Sequence, residues 1–237
     1  MSEQLGKIER PEAERFKQGK RLYLIPLVYA GEEAPDEYKG KCSRYWQQAA
    51  EQLINLTSKI GMVNHVYHES IFQSGEDGMK VMERLSPGSY QIAKNQCDNG
   101  AIFETIEERE LFEEVMDWQR CLMLGFISDK VASRVSGFYV DAAKRRNEFM
   151  AKRISETLKD DEAGLLFIRE EQSLQFHSDM EVFSIFPPAL DDIHRWYRDQ
   201  ARLGIEKRAE ESKGKTEGEA GEVKKKTRKR TKRETKG

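Results

Sequence analysis

Apolar residues along this chain follow two spacings. Compact runs rich in Leu, Ile, Val and aromatic residues occupy Arg21 to Ala30 (RLYLIPLVYA), Met62 to Ile71 (MVNHVYHESI), Gly164 to Ile168 (GLLFI) and Glu181 to Phe186 (EVFSIF). Short continuous runs of this kind predict buried strands. Pro26 in the first run predicts an edge position or a strand end, because it donates no ladder hydrogen bond. Elsewhere apolar residues recur every three to four positions, which draws one helical face. Cys42, Tyr45, Trp46, Ala49, Leu53, Leu56 and Ile60 form one such face, with Gly61 standing where a left-handed C-cap is wanted.

The punctuation between these runs is equally explicit. Ser74 and Asp77 are cap residues for a helix through Leu85, and Ser86-Pro87 opens another that should end near Asn99-Gly100. Thr105-Ile106-Glu107-Glu108 has the form of a capping box ahead of the stripe Leu111, Val115, Trp118, Leu122. Ser128 is placed to cap a long helix to about Leu158, and Pro187-Pro188 closes the last strand before a helix ending at Gly204. The order strand, helix, strand, helices, strand, strand, helix predicts an α/β fold: a small mixed or parallel sheet covered by helices. Residues 74–158 are expected as a helical insertion or cap in the middle of the chain.

Candidate chemistry lies where these elements end. Glu69 stands near the carboxyl end of the second predicted strand, the edge where ligand sites gather in open α/β sheets. The plainer alternative is a strand-end acid paired to a Lys or Arg. His65 and His68 point to opposite faces of a strand and so cannot share one metal ion. In the long helix the stripe Val131, Val135, Phe138, Ala142, Phe149 and Ile154 brings Arg145 or Arg146 onto the apolar face. Such an Arg is either presented to an anionic ligand or carboxylate, or lays its stem on the core rim and reaches water. Asn147 and Glu148 point elsewhere on that helix and are expected to be solvated. His177 and Asp179, in the polar loop after GLLFI, are placed for an acid–base pair, or simply for a solvated connection. No P-loop, G-x-G-x-x-G turn, H-E-x-x-H helix or nucleophile elbow is present, so these sequences name no cofactor and support no Ser hydrolase.

Composition changes the picture only when it is divided. The 237 residues carry a formal charge of −2. Residues 205–237 hold 13 basic and 7 acidic residues, and residues 1–204 hold 27 and 35. An acidic body of −8 thus precedes a basic tail of +6. Residues 1–204 suit one domain, since domains commonly run to about 100–200 residues. Residues 205–237, nearly devoid of apolar side chains, are expected to be a disordered linker and tail. Lys224, Lys225, Lys226, Arg228, Lys229, Arg230, Lys232 and Arg233 predict attraction to a polyanion such as RNA, DNA or the ribosome. No aromatic residue interleaves to stack on bases, and no apolar anchor adjoins the cluster. No membrane-spanning run or leader is expected. Three widely spaced cysteines (Cys42, Cys97, Cys121) predict a reducing, cytoplasmic setting.

The opening strand, the strand-end Glu69, the segment Lys144-Arg145-Arg146-Asn147-Glu148-Phe149-Met150-Ala151-Lys152-Arg153-Ile154 and the strand GLLFI together resemble the order of elements in TraB/ChaN-like proteins. Some of that family are proposed metal-dependent hydrolases, and others bind haem. The resemblance implies that Glu69 and Arg146 match its acidic and Arg positions; a hydrolase-type reading adds His177 nearby as a base. Tyr29-Ala30-Gly31 and Arg169-Glu170-Glu171-Gln172 replace the family's strand-end His and Gly-His loop, so no metal is expected. Three functional readings follow. One is a binding or regulatory protein tethered to nucleic acid by its tail. Another is a hydrolase-type enzyme with a Glu/Arg cleft, and the third is a protein that self-associates, body to tail.

Overall fold

The computed structural model describes residues 19–172 and 174–205. The tail lies outside the described residues. These residues divide into two compact units, with the division between Ala189 and Leu190. The first unit is built on a five-stranded parallel sheet in the order β3-β2-β4-β1-β5. Its strands are β1 (Lys20–Pro26), β2 (His65–His68), β3 (Ile102–Glu104), β4 (Ala163–Ile168) and β5 (Met180–Ser184). The helices are α1 (Asp36–Ile60), α2 (Gly75–Leu85), α3 (Pro87–Asp98), α4 (Arg109–Met123) and α5 (Asp129–Thr157). A last helix, α6, spans residues 188–205 and carries the second unit from Leu190 onward.

A parallel sheet covered on both faces needs apolar residues without alternation. β4 meets that demand, since Ala-Gly-Leu-Leu-Phe-Ile is buried at every position. On one face Leu22, Tyr67, Leu166 and Ile168 pack with Met150, Ile154 and Leu158 from α5 and its end. On the other face Phe167 meets Trp46 of α1 and His68 of β2. α4 lies along α5, with Trp118 stacked on Phe138 at 4.9 Å. β1 is central, between β4 and β5. Pro26 is tolerated there because it is the strand's last residue, and the ladder resumes with Leu27 N donating to Ile168 O at 2.9 Å.

Residues 74–158 hold α2 to α5 with the loops between them, and also β3, a three-residue strand that hydropathy did not mark. It pairs with β2 from His65↔Ile102 to Tyr67↔Glu104. Several helix ends are also held by partners other than those expected. Gly61 closes α1 with φ +154°, not as a left-handed cap, and Arg21 Nη1 donates to the orphan Ile60 carbonyl at 2.9 Å. Ser74 precedes α2 but caps none of its amides; its Oγ accepts from Thr105 N at 3.0 Å instead. Thr105 is not the N-cap of α4. Glu108 is, and its carboxylate accepts from Leu111 N at 3.2 Å.

α1 and α3 meet at Gly88, where a Cβ would stand 2.3 Å from the Trp46 indole. Gly88→Ala should therefore force the two helices apart and cost about 1–3 kcal/mol, as overpacking does. The check is a urea midpoint measured alongside Gly31→Ala, whose Cβ would enter open space.

Candidate functional site at the carboxyl edge of the sheet

The strand order determines where a crevice opens. From β2 the chain leaves toward β3 at one edge, and from β4 it leaves toward β5 at the other. β2 and β4 are neighbours, so their exits diverge at a topological switch point. Glu69 follows β2 there, and Arg169 follows β4. Glu69 N extends the ladder by donating to Phe167 O at 3.0 Å, and Arg169 Nε donates to Glu69 Oε1 at 2.7 Å. Glu69 is buried, whereas the Arg169 side chain keeps about a third of its surface in solvent.

Behind this pair stands a second one. Arg146 projects from α5 and is the largest fully buried side chain among the described residues. Its Nε donates to Glu107 Oε2 at 3.0 Å and its Nη2 to Glu107 Oε1. Such a fork-to-fork pairing fits a planar guanidinium. Ser70 N also donates to Glu107 Oε1 at 2.8 Å, and the Phe112 ring lies 5.2 Å from the Arg146 guanidinium carbon. Ser70 holds φ at +67°, an uncommon conformation for a residue with a side chain, and from it donates its amide to the carboxylate.

Gln172 joins the pairs. With its amide oriented to suit its neighbours, Oε1 accepts from Arg169 Nη2 at 3.1 Å and from Arg146 Nη1 at 3.3 Å. Its Nε2 donates to Asn147 Oδ1 at 2.9 Å. Asn147 is thus part of the network and not a solvated bystander. Two acids and two guanidiniums neutralise one another, as buried charges must.

Glu69 is the least satisfied member. Its Oε2 has no hydrogen-bond partner. Burial pushes its carboxyl above the ordinary range, opposed by Arg169 and Arg146. Tyr29, beyond the end of β1, has its phenol pushed up to about 12 by burial and by the nearby Glu69 charge. Tyr29 also lines a cleft of about 530 Å³. Its walls include the Val28–Glu32 loop, Cys42, Ser43 and Trp46 of α1, and Ser86–Gly88 at the start of α3. Beside Glu69, His68 is fully buried; its Nδ1 donates to the Glu69 carbonyl and its Nε2 has no partner. Burial holds its imidazole down at about 4.

The candidate residues separate accordingly. Glu69 and Arg146 belong to one cluster, although each is paired with another residue. Arg145 faces outward to Glu114. His177 lies on an exposed loop with Asp179 Oδ1 3.0 Å from its Nδ1. His65 and His68 do take opposite faces: His65 stacks on Tyr67 near Glu162, and His68 lies by Phe167. Among the described residues, no group of three or more His, Cys, Asp or Glu side chains is placed to hold a metal ion. Glu107 is the residue that sequence reading misplaced, as part of a capping box. A buried Arg on the α5 stripe demanded an acid, and Glu107 next to the α4 start was available. Lys224, Lys225, Lys226, Arg228, Lys229, Arg230, Lys232 and Arg233 lie outside the described residues.

No family model matches the chain, and no curated protein or solved structure is significantly similar to it.

Two outcomes follow from the charge arrangement. Glu107→Gln strands the buried Arg146 charge and should cost about 3–5 kcal/mol. Glu69→Gln leaves behind Arg169, whose side chain still reaches solvent, and so should change stability far less in the same denaturant titration. His68 gives a pH dependence. The unfolded chain binds its proton below pH 6.5, and the folded protein only near pH 4. Stability is therefore present above 6.5 and falls as pH drops through that window, by about 3 kcal/mol in all. Urea titrations of the parent and His68→Gln at neutral pH and at about pH 4.5 check this, since the variant should lose less on acidification.

Proposed function

We propose that the body is a ligand-binding domain whose site is the cleft beside Tyr29, with Glu69 and Arg169 as its responsive charges. The observation that supports this reading is the position of the pair, at the switch point of a parallel sheet, where ligands of such sheets are received. The cleft has the composition of a small-molecule site: an indole and aliphatic walls with a few polar groups. Glu69, buried outside the cleft wall and sensed there through Tyr29, adds a carboxyl with one unpartnered oxygen and a raised proton affinity. That is the group an acid–base reaction at this edge would use, in keeping with the hydrolase-type reading. Arg146, committed to Glu107 and Gln172, holds this edge in place and does not meet the ligand.

Thermal unfolding with a panel of small carboxylates, phosphates and nucleosides tests the reading. At least one class should raise the melting temperature of the parent and leave unchanged a Ser43→Trp variant, whose indole fills the cleft mouth. Equal shifts in both proteins, or none in the parent, would show that the cleft is not the site.

The tail carries a second, separate reading. Nine basic residues and one acid in Lys224 to Lys236 favour nonspecific attachment to nucleic acid or a ribonucleoprotein. Affinity for a random RNA should fall steeply with salt and be lost on deletion of residues 224–237. Undiminished binding by the truncated chain would refute the tether.

A further inference from the structure

One wall of the cleft beside Tyr29 is the start of α3, lined by Ser86, Pro87 and Gly88. Ser86 holds the N-cap position, where a serine oxygen ordinarily accepts a hydrogen bond from an amide of the first turn. Here it accepts none. Ser86 is only 2% exposed, and its Oγ has no hydrogen-bond partner. A buried hydroxyl in that state is destabilising until something else bonds it.

The helix end around this hydroxyl is equally unfilled. The first bond of α3 runs from Tyr90 N to Ser86 O at 3.0 Å. Pro87 has no amide hydrogen, and the amides of Gly88 and Ser89 precede that bond, so neither has a carbonyl within the helix. No acidic side chain in the first turn meets the positive end of the helix dipole. Lys39 lines the same cleft, where its Nζ donates to the Glu32 carbonyl at 2.6 Å. The exposed Glu32 carboxylate offsets part of that charge, so the helix end and the hydroxyl carry most of the attraction.

We infer that the start of α3 is a phosphate subsite, and that the cleft takes a phosphate monoester whose apolar part lies along Trp46. The inference rests on the cleft being the binding site. Helix N-termini receive anions through their free amides and dipole. The donors are the Ser86 hydroxyl, the Gly88 amide and the Lys39 ammonium, which suit a phosphate with its three terminal oxygens better than a carboxylate. A phosphate oxygen is the acceptor that the Ser86 hydroxyl lacks. The net charge of −8 on residues 1–204 opposes an anion at long range, where salt screens it over about 10 Å, whereas these donors act in contact.

Residue-resolved NMR of the full chain tests this, with phenyl phosphate, benzoate and phenol titrated at constant ionic strength. Each resonance is read separately, so phosphate attracted to Lys224 to Arg233 does not register at the cleft. Phenyl phosphate should shift the Gly88 and Ser89 amides saturably, and bind more tightly there than benzoate. Its affinity should fall about tenfold in Ser86→Ala, the effect of one hydrogen bond to a charged group. Lys39→Met, which leaves α3 intact, should weaken binding several-fold. Ser86→Ala should melt no lower than the parent, because the hydroxyl it removes has no partner. Unchanged affinity in Ser86→Ala, or a fall only alongside a lower melting temperature, would overturn the inference. So would Gly88 and Ser89 amides that phenyl phosphate leaves in place. If benzoate or phenol then moves the Trp46 indole resonance, the cleft stands and the phosphate subsite alone fails. If no compound moves it, the cleft reading fails as well.

Discussion

The carboxyl edge of this sheet is organised around one buried charge. Arg146 has no route to water, so its guanidinium must be neutralised and hydrogen-bonded in place. Glu107 supplies the carboxylate, and that requirement draws the segment after β3 down toward α5. Ser70 donates its amide to the same carboxylate, which fixes how the chain leaves β2. Gln172 then couples the loop after β4 to the same guanidinium. Three strand exits are thereby tied to one helix. Glu69 and Arg169 are held at the switch point by this arrangement and not by their own pairing alone.

A self-neutralised cluster has consequences for chemistry. Arg146 has both faces of its fork engaged, so it can orient but is not free to receive an anion. Glu69 differs, because one oxygen lacks a partner and its guanidinium neighbour is partly in solvent. A group that is half satisfied beside a cleft is the one whose state a ligand can change. The Tyr29 phenol, which feels the Glu69 charge and lines the cleft, connects the two.

Much of the fold was legible because its signals are local. β4 reads as a buried strand from the five residues Gly164 to Ile168, α1 from apolar spacing alone, although it starts at Asp36 inside a stretch that reads as a turn, and α3 and α5 from spacing with Ser-Pro or Ser at their starts. β3 was missed because three residues carry too little pattern, and its identity comes from pairing with β2. Capping failed for a related reason. Thr105, Ser74 and Gly61 have the right residue types, but tertiary partners claim their groups. Glu69 and Arg146 could be named from strand-end position and helical phase, whereas Glu107, Gln172 and Ser70 could not. Their roles depend on which loops meet across the sheet edge, and sequence spacing is silent on that. His177, chosen for its proximity to a strand end, stands exposed beside Asp179, since a loop can carry a side chain outward as easily as inward.

The claim that the buried pair organises the edge is tested most directly by a double-mutant cycle with Glu107→Leu and Arg146→Met. Each single variant should be strongly destabilised, by about 3–5 kcal/mol, and the double should lose no more than either single, giving a coupling energy of at least about 3 kcal/mol. Additive losses with no coupling would show that the two residues act independently and that the edge is held by something else.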